Sequence, residues 1–231
     1  MFDGRWKSSI EVGLEPVGRN LRRAGVRPDH LTVLGILMAT AAAVAIGSGA
    51  LRAGLILLIL TGVPDALDGA VAKASGTAST RGAFFDSVAD RFTDALLLGG
   101  VAWYLVSTEP GHISILPFAV YVAAGLVSYQ RAKAEALGFD ARGGLMERAE
   151  RFIVLGIGLL FNELLIPILW FMLAATAGTA VYRFVKVWRQ ADRPPQPEPI
   201  PERRPRRSRR RAARPVTQSW RNRSRSRSPK P

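Results

Sequence analysis

The chain has 231 residues, 48% of them hydrophobic, with a mean hydropathy of +0.11, which fits one domain of moderate size. It contains no cysteine, which excludes disulfides and thiolate metal sites, and its two histidines, His30 and His112, argue against a histidine-rich zinc site. The net charge of +14 is confined to one region: from Arg183 onward there are 17 Lys+Arg against 3 Asp+Glu, leaving 15 of each in residues 1–182.

The first 25 residues are mixed in charge and lack an apolar run of signal-peptide type, so no secretory signal is expected. Ile10, Val12, Leu14, Val17 and Leu21 recur at helical spacing with Arg19, Arg22 and Arg23 among them. This segment reads either as an amphipathic helix in the membrane interface or as an ordinary cytoplasmic one. "RPDHLT" reads as a turn and helix start, with Asp29 as cap. From Leu31 to Val187 apolar runs dominate, and six membrane helices are expected at about 31–49, 52–72, 83–107, 114–137, 148–163 and 165–188. Turns are expected at Pro110–Gly111 and Ile166–Pro167. The fold class is therefore all-α and polytopic: a juxtamembrane segment 1–29, a six-helix domain 30–189 and a tail 190–231.

Loop charges agree with this reading. Residues 1–29 carry six Lys/Arg, the first loop only Arg52, the second Lys73 and Arg81, "STEPGHIS" none, residues 129–151 five, and "FNELLIP" none. Basic and non-basic loops alternate, as an even number of spans with both termini cytoplasmic requires. A soluble helical bundle would show similar apolar runs, but the alternation would then be accidental. The Pro-, Arg- and Ser-rich tail cannot bury enough apolar area to fold and is expected to be disordered. Its expected partner is the anionic inner leaflet, at about 1 kcal/mol per basic residue near the surface, in preference to nucleic acid.

Four aspartates stand at the edges of apolar segments: Asp65 and Asp68 at i, i+3, and Asp86 and Asp90 at i, i+4. Each pair shares a helix face, and both pairs fall at the cytoplasmic ends of antiparallel neighbours. Any one of them alone reads better as a solvated helix-end aspartate. Four together repel unless protonated or neutralised by cations. Hard divalent ions suit such oxygen ligands, and two ions about 3.5–4 Å apart would stabilise the attacking and leaving oxygens of a phosphoryl displacement. Gly69 and Gly82 leave room beside these acids for a nucleotide. Asp94, one turn deeper than Asp90, is expected to pair with a basic group or a subunit neighbour rather than to bind metal.

"DALDGAVAK" followed by "GAFFDSVAD" resembles the signature of the CDP-alcohol phosphotransferase family, D-x-x-D-G-x-x-A-R then G-x-x-x-D-x-x-x-D, with Lys73 in place of its arginine. Lysine keeps the charge but loses the paired-donor fork. The resemblance covers about residues 1–190. It implies six transmembrane helices, a homodimer and a cytoplasm-facing site with two Mg²⁺ or Mn²⁺ ions on Asp65, Asp68, Asp86 and Asp90. It further implies Asp90 as general base and a cytidine diphosphate site around Thr32, Gly69, Lys73, Ser79 and Gly82. An aspartate that also binds metal is a weak base, so metal polarisation of the acceptor hydroxyl would matter more.

"SYQRAKAEALGFDARGGLMERAERF" resembles the corresponding segment of actinobacterial family members that take inositol phosphate. Ser128 and Arg131, and again Arg148 and Arg151, are spaced i, i+3, and two such basic edges suit a phosphate dianion; Arg183 is a further candidate. The same arginines serve equally as topology determinants. Glu147 and Glu150 are expected to pair with nearby arginines. The reading is a plasma-membrane phosphatidyltransferase joining CDP-diacylglycerol and inositol phosphate to give phosphatidylinositol phosphate and CMP. Its rivals are transfer to glycerol phosphate, as in phosphatidylglycerol phosphate synthases, and cation transport. Transport predicts midplane acids and often an internal repeat, and neither is seen.

Overall fold

The computed structural model describes residues 27–75 and 80–192, together with residues 20, 23 and 25. The side chains of residues 65–79 and the basic tail from residue 193 lie outside the described residues, as does nearly all of the expected N-terminal amphipathic segment.

Among the described residues the chain is all-helical: α1 (Pro28–Gly47), α2 (Leu51–Ser75), α3 (Thr80–Thr108), α4 (Ile115–Ala136), α5 (Arg148–Leu160), a 3₁₀ turn (Asn162–Leu164) and α6 (Leu165–Ala191). These fall where the apolar runs predict helices. The start of α1 differs in detail. Arg27, extended at φ −98° and ψ 152°, occupies the cap position, Pro28 follows as the first helical residue, and Asp29 lies inside the first turn. Proline fixes the φ that a first helical residue needs and lacks an N–H that would be unbonded there anyway. Asp29 thus acts through the helix dipole rather than as a cap.

The last connection also differs. α5 stops at Leu160, the chain turns through Phe161–Leu164, and Pro167 lies within the first turn of α6. A proline there breaks no intrahelical bond, so the turn falls before it. With 13 residues, α5 is about 20 Å long, shorter than the roughly 30 Å of a bilayer's apolar core. Two segments, Pro28–Gly47 and Asn162–Ala191, are long and apolar enough to cross a membrane.

α1 packs against both α2 and α3, α3 against α4, α5 against α2, and α4 and α5 both against α6. The core between them is built from Ala42 and Ile46 of α1, Leu97, Val101 and Leu105 of α3, Val120 of α4, Leu155 of α5, and Leu169 and Met172 of α6. The outside is also apolar: Leu37, Ile56, Val106, Phe118, Trp170 and Val181 are all more than half exposed. Large apolar side chains on the outer faces of several helices suit contact with lipid.

α1 and α3 approach closely, backbone to backbone, at Gly100. A β-carbon at Gly100 would stand 2.6 Å from Ala43 O and 2.7 Å from Ala43 Cα. Backbone cannot yield as a flexible side chain does. Gly100→Val is expected to force α1 from α3 and to destabilise the protein by about 1–3 kcal/mol or more, read as a lowered melting temperature in detergent.

Candidate active site

The site grows from the N-terminal half of α3. Asp86 and Asp90 lie four residues apart, one turn of helix, and both are half-buried. Gly82 is half-buried one turn before Asp86. On α1, Thr32 Oγ1 donates to Pro28 O at 3.3 Å. Gly82, Thr32 and Asp86 each make further interactions. Asp65, Asp68, Gly69 and Lys73 lie on α2, but their side chains are outside the described residues, and Ser79 is outside them altogether.

The donor set tests whether a metal fits. Four carboxylates offer only hard oxygen ligands, which suit Mg²⁺ or Mn²⁺ and not a soft metal. Asp86 and Asp90 are the described half of that set. Among the described residues no three acids or histidines gather as a metal cluster. Asp90 already takes a cation, because Arg148 Nη1 pairs with its Oδ1, and Arg91 Nη2 lies 3.7 Å from its Oδ2.

α5 carries that contact further. Arg151 Nη2 donates to Asp94 Oδ2 at 2.7 Å, and Arg148 Nε lies 3.6 Å from Asp94 Oδ1. Asp94 is 3% exposed and Arg151 4%. Burying either alone would be strongly unfavourable, which is why Asp94, one turn beyond Asp90 on α3, meets an arginine. Arg148 also lies over the Phe152 ring, 4.8 Å from its centroid.

The other acceptor candidates are placed differently. Ser128 Oγ donates to Ala124 O at 3.0 Å, and Arg131 Nε to Glu135 Oε1 at 3.0 Å, so each is bonded within α4. Arg183, 3% exposed on α6, donates through Nε to Gly143 O, through Nη1 to Val127 O and through Nη2 to Glu147 Oε1. Three of its five donors therefore hold protein. Arg131 and Arg151 both lie near enough to Arg183 for their charges to act on it, so the three arginines share one neighbourhood. Glu147 pairs with an arginine as expected. No arginine partner of Glu150 is found among the described residues, and its Oε2 is buried without a hydrogen bond.

Sequence reasoning missed the loop 137–147 that leads into α5. Thr179 Oγ1 donates to Ala175 O and accepts from the backbone N–H groups of Leu145 and Met146, both at 3.2 Å. Gly144 has φ +135°, and a β-carbon there would collide with the Thr179 side chain. Farther out, Lys186 Nζ donates to Asp140 Oδ2 at 2.8 Å, and Gln190 Nε2 donates to Asp140 O. The Lys186 hydrogen bond, then the backbone N–H of Arg142, hold the Asp140 carboxyl below its ordinary pKa. The paired glycines of "ARGGLM" were the available signal for a chain folded tightly onto a neighbour.

The sequence matches the family described as CDP-alcohol phosphatidyltransferase over residues 26–182. It is 36% identical over 176 residues to the archaetidylinositol phosphate synthase of Methanothermobacter thermautotrophicus, covering 73% of this chain and 86% of that one. It is 34% identical over 187 residues to the phosphatidylinositol phosphate synthase of Corynebacterium glutamicum, covering 78% and 85%. The crystal structure of the Mycobacterium tuberculosis phosphatidylinositol phosphate synthase with CDP-DAG bound superposes with a TM-score of 0.70 at 30% identity, covering 76% of this chain and 93% of that one. A structure of the same protein in complex with manganese and citrate superposes with a TM-score of 0.71 at 30% identity, covering 76% and 88%.

Thr179→Val leaves two backbone donors of the loop without their acceptor, one of them buried, and is expected to cost about 1–3 kcal/mol in thermal stability. The Asp140–Lys186 tether has a definite pH sense. Because the folded pKa is depressed, its contribution is complete above the ordinary carboxylate range and is lost as pH falls through the folded value. An NMR titration is expected to show the Asp140 midpoint rising in Lys186→Met.

Proposed function

The chain belongs to the CDP-alcohol phosphatidyltransferase family, and from that premise we propose that it transfers the phosphatidyl group of CDP-diacylglycerol to inositol phosphate, giving phosphatidylinositol phosphate and CMP. One observation carries the choice of a phosphorylated acceptor: Arg148 of α5 reaches Asp90 of α3. The basic edge suited to an acceptor phosphate thus adjoins the acid suited to the acceptor hydroxyl. Inositol phosphate also figures in the names of the relatives from Methanothermobacter and Corynebacterium.

Asp65, Asp68, Asp86 and Asp90 would hold two divalent cations, Mg²⁺ or Mn²⁺, which supply charge neutralisation at the diphosphate. Thr32, Gly69, Lys73, Ser79 and Gly82 border the cytidine diphosphate, with Lys73 as a point charge. Ser128, Arg131, Arg148 and Arg151 take the acceptor phosphate. Arg183 adds its charge while holding Gly143, Val127 and Glu147 in place. With the phosphate fixed, the acceptor hydroxyl faces Asp90. Its oxygen bonds to the lipid-side phosphorus, the P–O bond to CMP breaks, and its proton passes to the Asp90 carboxylate.

The helices are proposed to cross the plasma membrane six times, with both termini and the site cytoplasmic, and the chain to form a homodimer whose basic tail lies on the anionic inner leaflet. The shortness of α5 is accommodated by local bilayer thinning and packing against its neighbours.

The test supplies membranes containing the protein with CDP-diacylglycerol and either inositol phosphate, free inositol or glycerol phosphate. Phosphatidylinositol phosphate and CMP are expected from the first alone, with loss of both on chelation. Asp90→Asn is expected to lower turnover by about a hundredfold or more. A lipid product from glycerol phosphate instead would move the assignment to that acceptor.

A further inference from the structure

We propose that Asp94 is the positioning residue of the acceptor site, setting the two α5 arginines in place before substrate arrives. The proposal rests on the acceptor reading above, in which Asp94 is neither metal ligand nor base. Its carboxylate takes Arg151 Nη2 on one oxygen at 2.7 Å and faces Arg148 Nε with the other at 3.6 Å. Arg148 thus lies between the two carboxylates, its Nη1 paired with Asp90 and its Nε near Asp94 Oδ1 without a hydrogen bond to it. Asp90 and Asp94 lie one turn apart on α3, while Arg148 and Arg151 lie nearly one turn apart on α5, so the two helices meet as a ladder of alternating charges.

Two consequences follow for the acceptor. Arginine side chains carry much rotamer freedom, and a site that fixes them in advance spares the substrate that ordering cost. Charge is the other. Arg148 and Arg151 repel each other, and Arg151 also feels Arg183. Asp94, together with Asp90, offsets that repulsion and holds the two guanidiniums side by side where a phosphate dianion can meet them. An asparagine at position 94 keeps the size but loses that balance, and the arginines spread.

The experiment uses the full-length protein in lipid–detergent micelles. In Asp94→Asn the KM for inositol phosphate is expected to rise about tenfold or more, while the KM for CDP-diacylglycerol stays within about twofold. Asp94→Glu, which keeps the charge, is expected to recover most of the loss and serves if the asparagine variant folds poorly. Leu97→Ala, a core truncation on the same helix, is expected to lower the melting temperature without splitting the two KM values. Inorganic phosphate supplies a readout without turnover: it is expected to raise the melting temperature of the wild type and not of Asp94→Asn. Unchanged KM values in Asp94→Asn, a rise in both together as from general damage, or a retained phosphate-dependent shift would overturn the proposal. Failure of the wild type to use inositol phosphate would overturn the acceptor reading instead, and the phosphate arm would still decide the role of Asp94.

Discussion

Charge inside an apolar helical assembly must be answered by opposite charge close at hand, and in this protein that constraint shapes the polar half of the structure. Asp94 and Arg151 are almost completely buried, and they meet at 2.7 Å. Either alone in such surroundings would carry an uncompensated desolvation cost of several kcal/mol. Their pairing ties α5 to α3, and Arg148 meets Asp90 one turn nearer the N-terminus of α3. A contact that satisfies burial thus also joins the two chemical halves of the proposed site.

The same principle governs α6. Arg183 is as buried as Asp94, and it answers its desolvation with two backbone carbonyls and Glu147. Those partners come from α4 and from the loop and cap before α5, so one guanidinium ties three elements together. Thr179, one turn earlier on α6, holds the adjacent loop backbone with a single hydroxyl. α5 therefore enters the assembly from a loop whose backbone is fixed by α6. The position of its arginines is set from both ends, by α3 through charge and by α6 through hydrogen bonds.

For the proposed transfer, this arrangement divides the labour between helices. α2 and α3 carry the acids and glycines suited to a diphosphate, and α4, α5 and α6 carry the arginines. The reaction needs an acceptor hydroxyl and a lipid-side phosphorus held in register, and effective positioning of two reactants supplies a large share of such a barrier. The Asp90–Arg148 contact joins an acid of the first group to an arginine of the second. A rigid apolar frame, with α1 wedged against α3 at Gly100, keeps that junction in place.

Much of this was legible in the sequence. Apolar runs gave all six helices to within a few residues, because helix formation follows a local pattern of side chains and turn signals. The acids and their spacing identified the family, and the i, i+3 arginines marked one edge of the proposed site. Asp94 was recognisable as an acid needing a partner, but not which partner. Arg148 and Arg151 lie more than fifty residues away in the chain, and only packing distance selects between them and any other cation. The same holds for Arg183, whose position suggested a phosphate ligand although most of its donors hold backbone and Glu147. Glu150 looked as pairable as Glu147 and has no ion pair among the described residues. Helix positions, charge balance and the candidate reacting groups are properties of short stretches, so the sequence by itself determined them. The pairing of each buried charge depends on distances between separate helices, so the tertiary structure alone decided it.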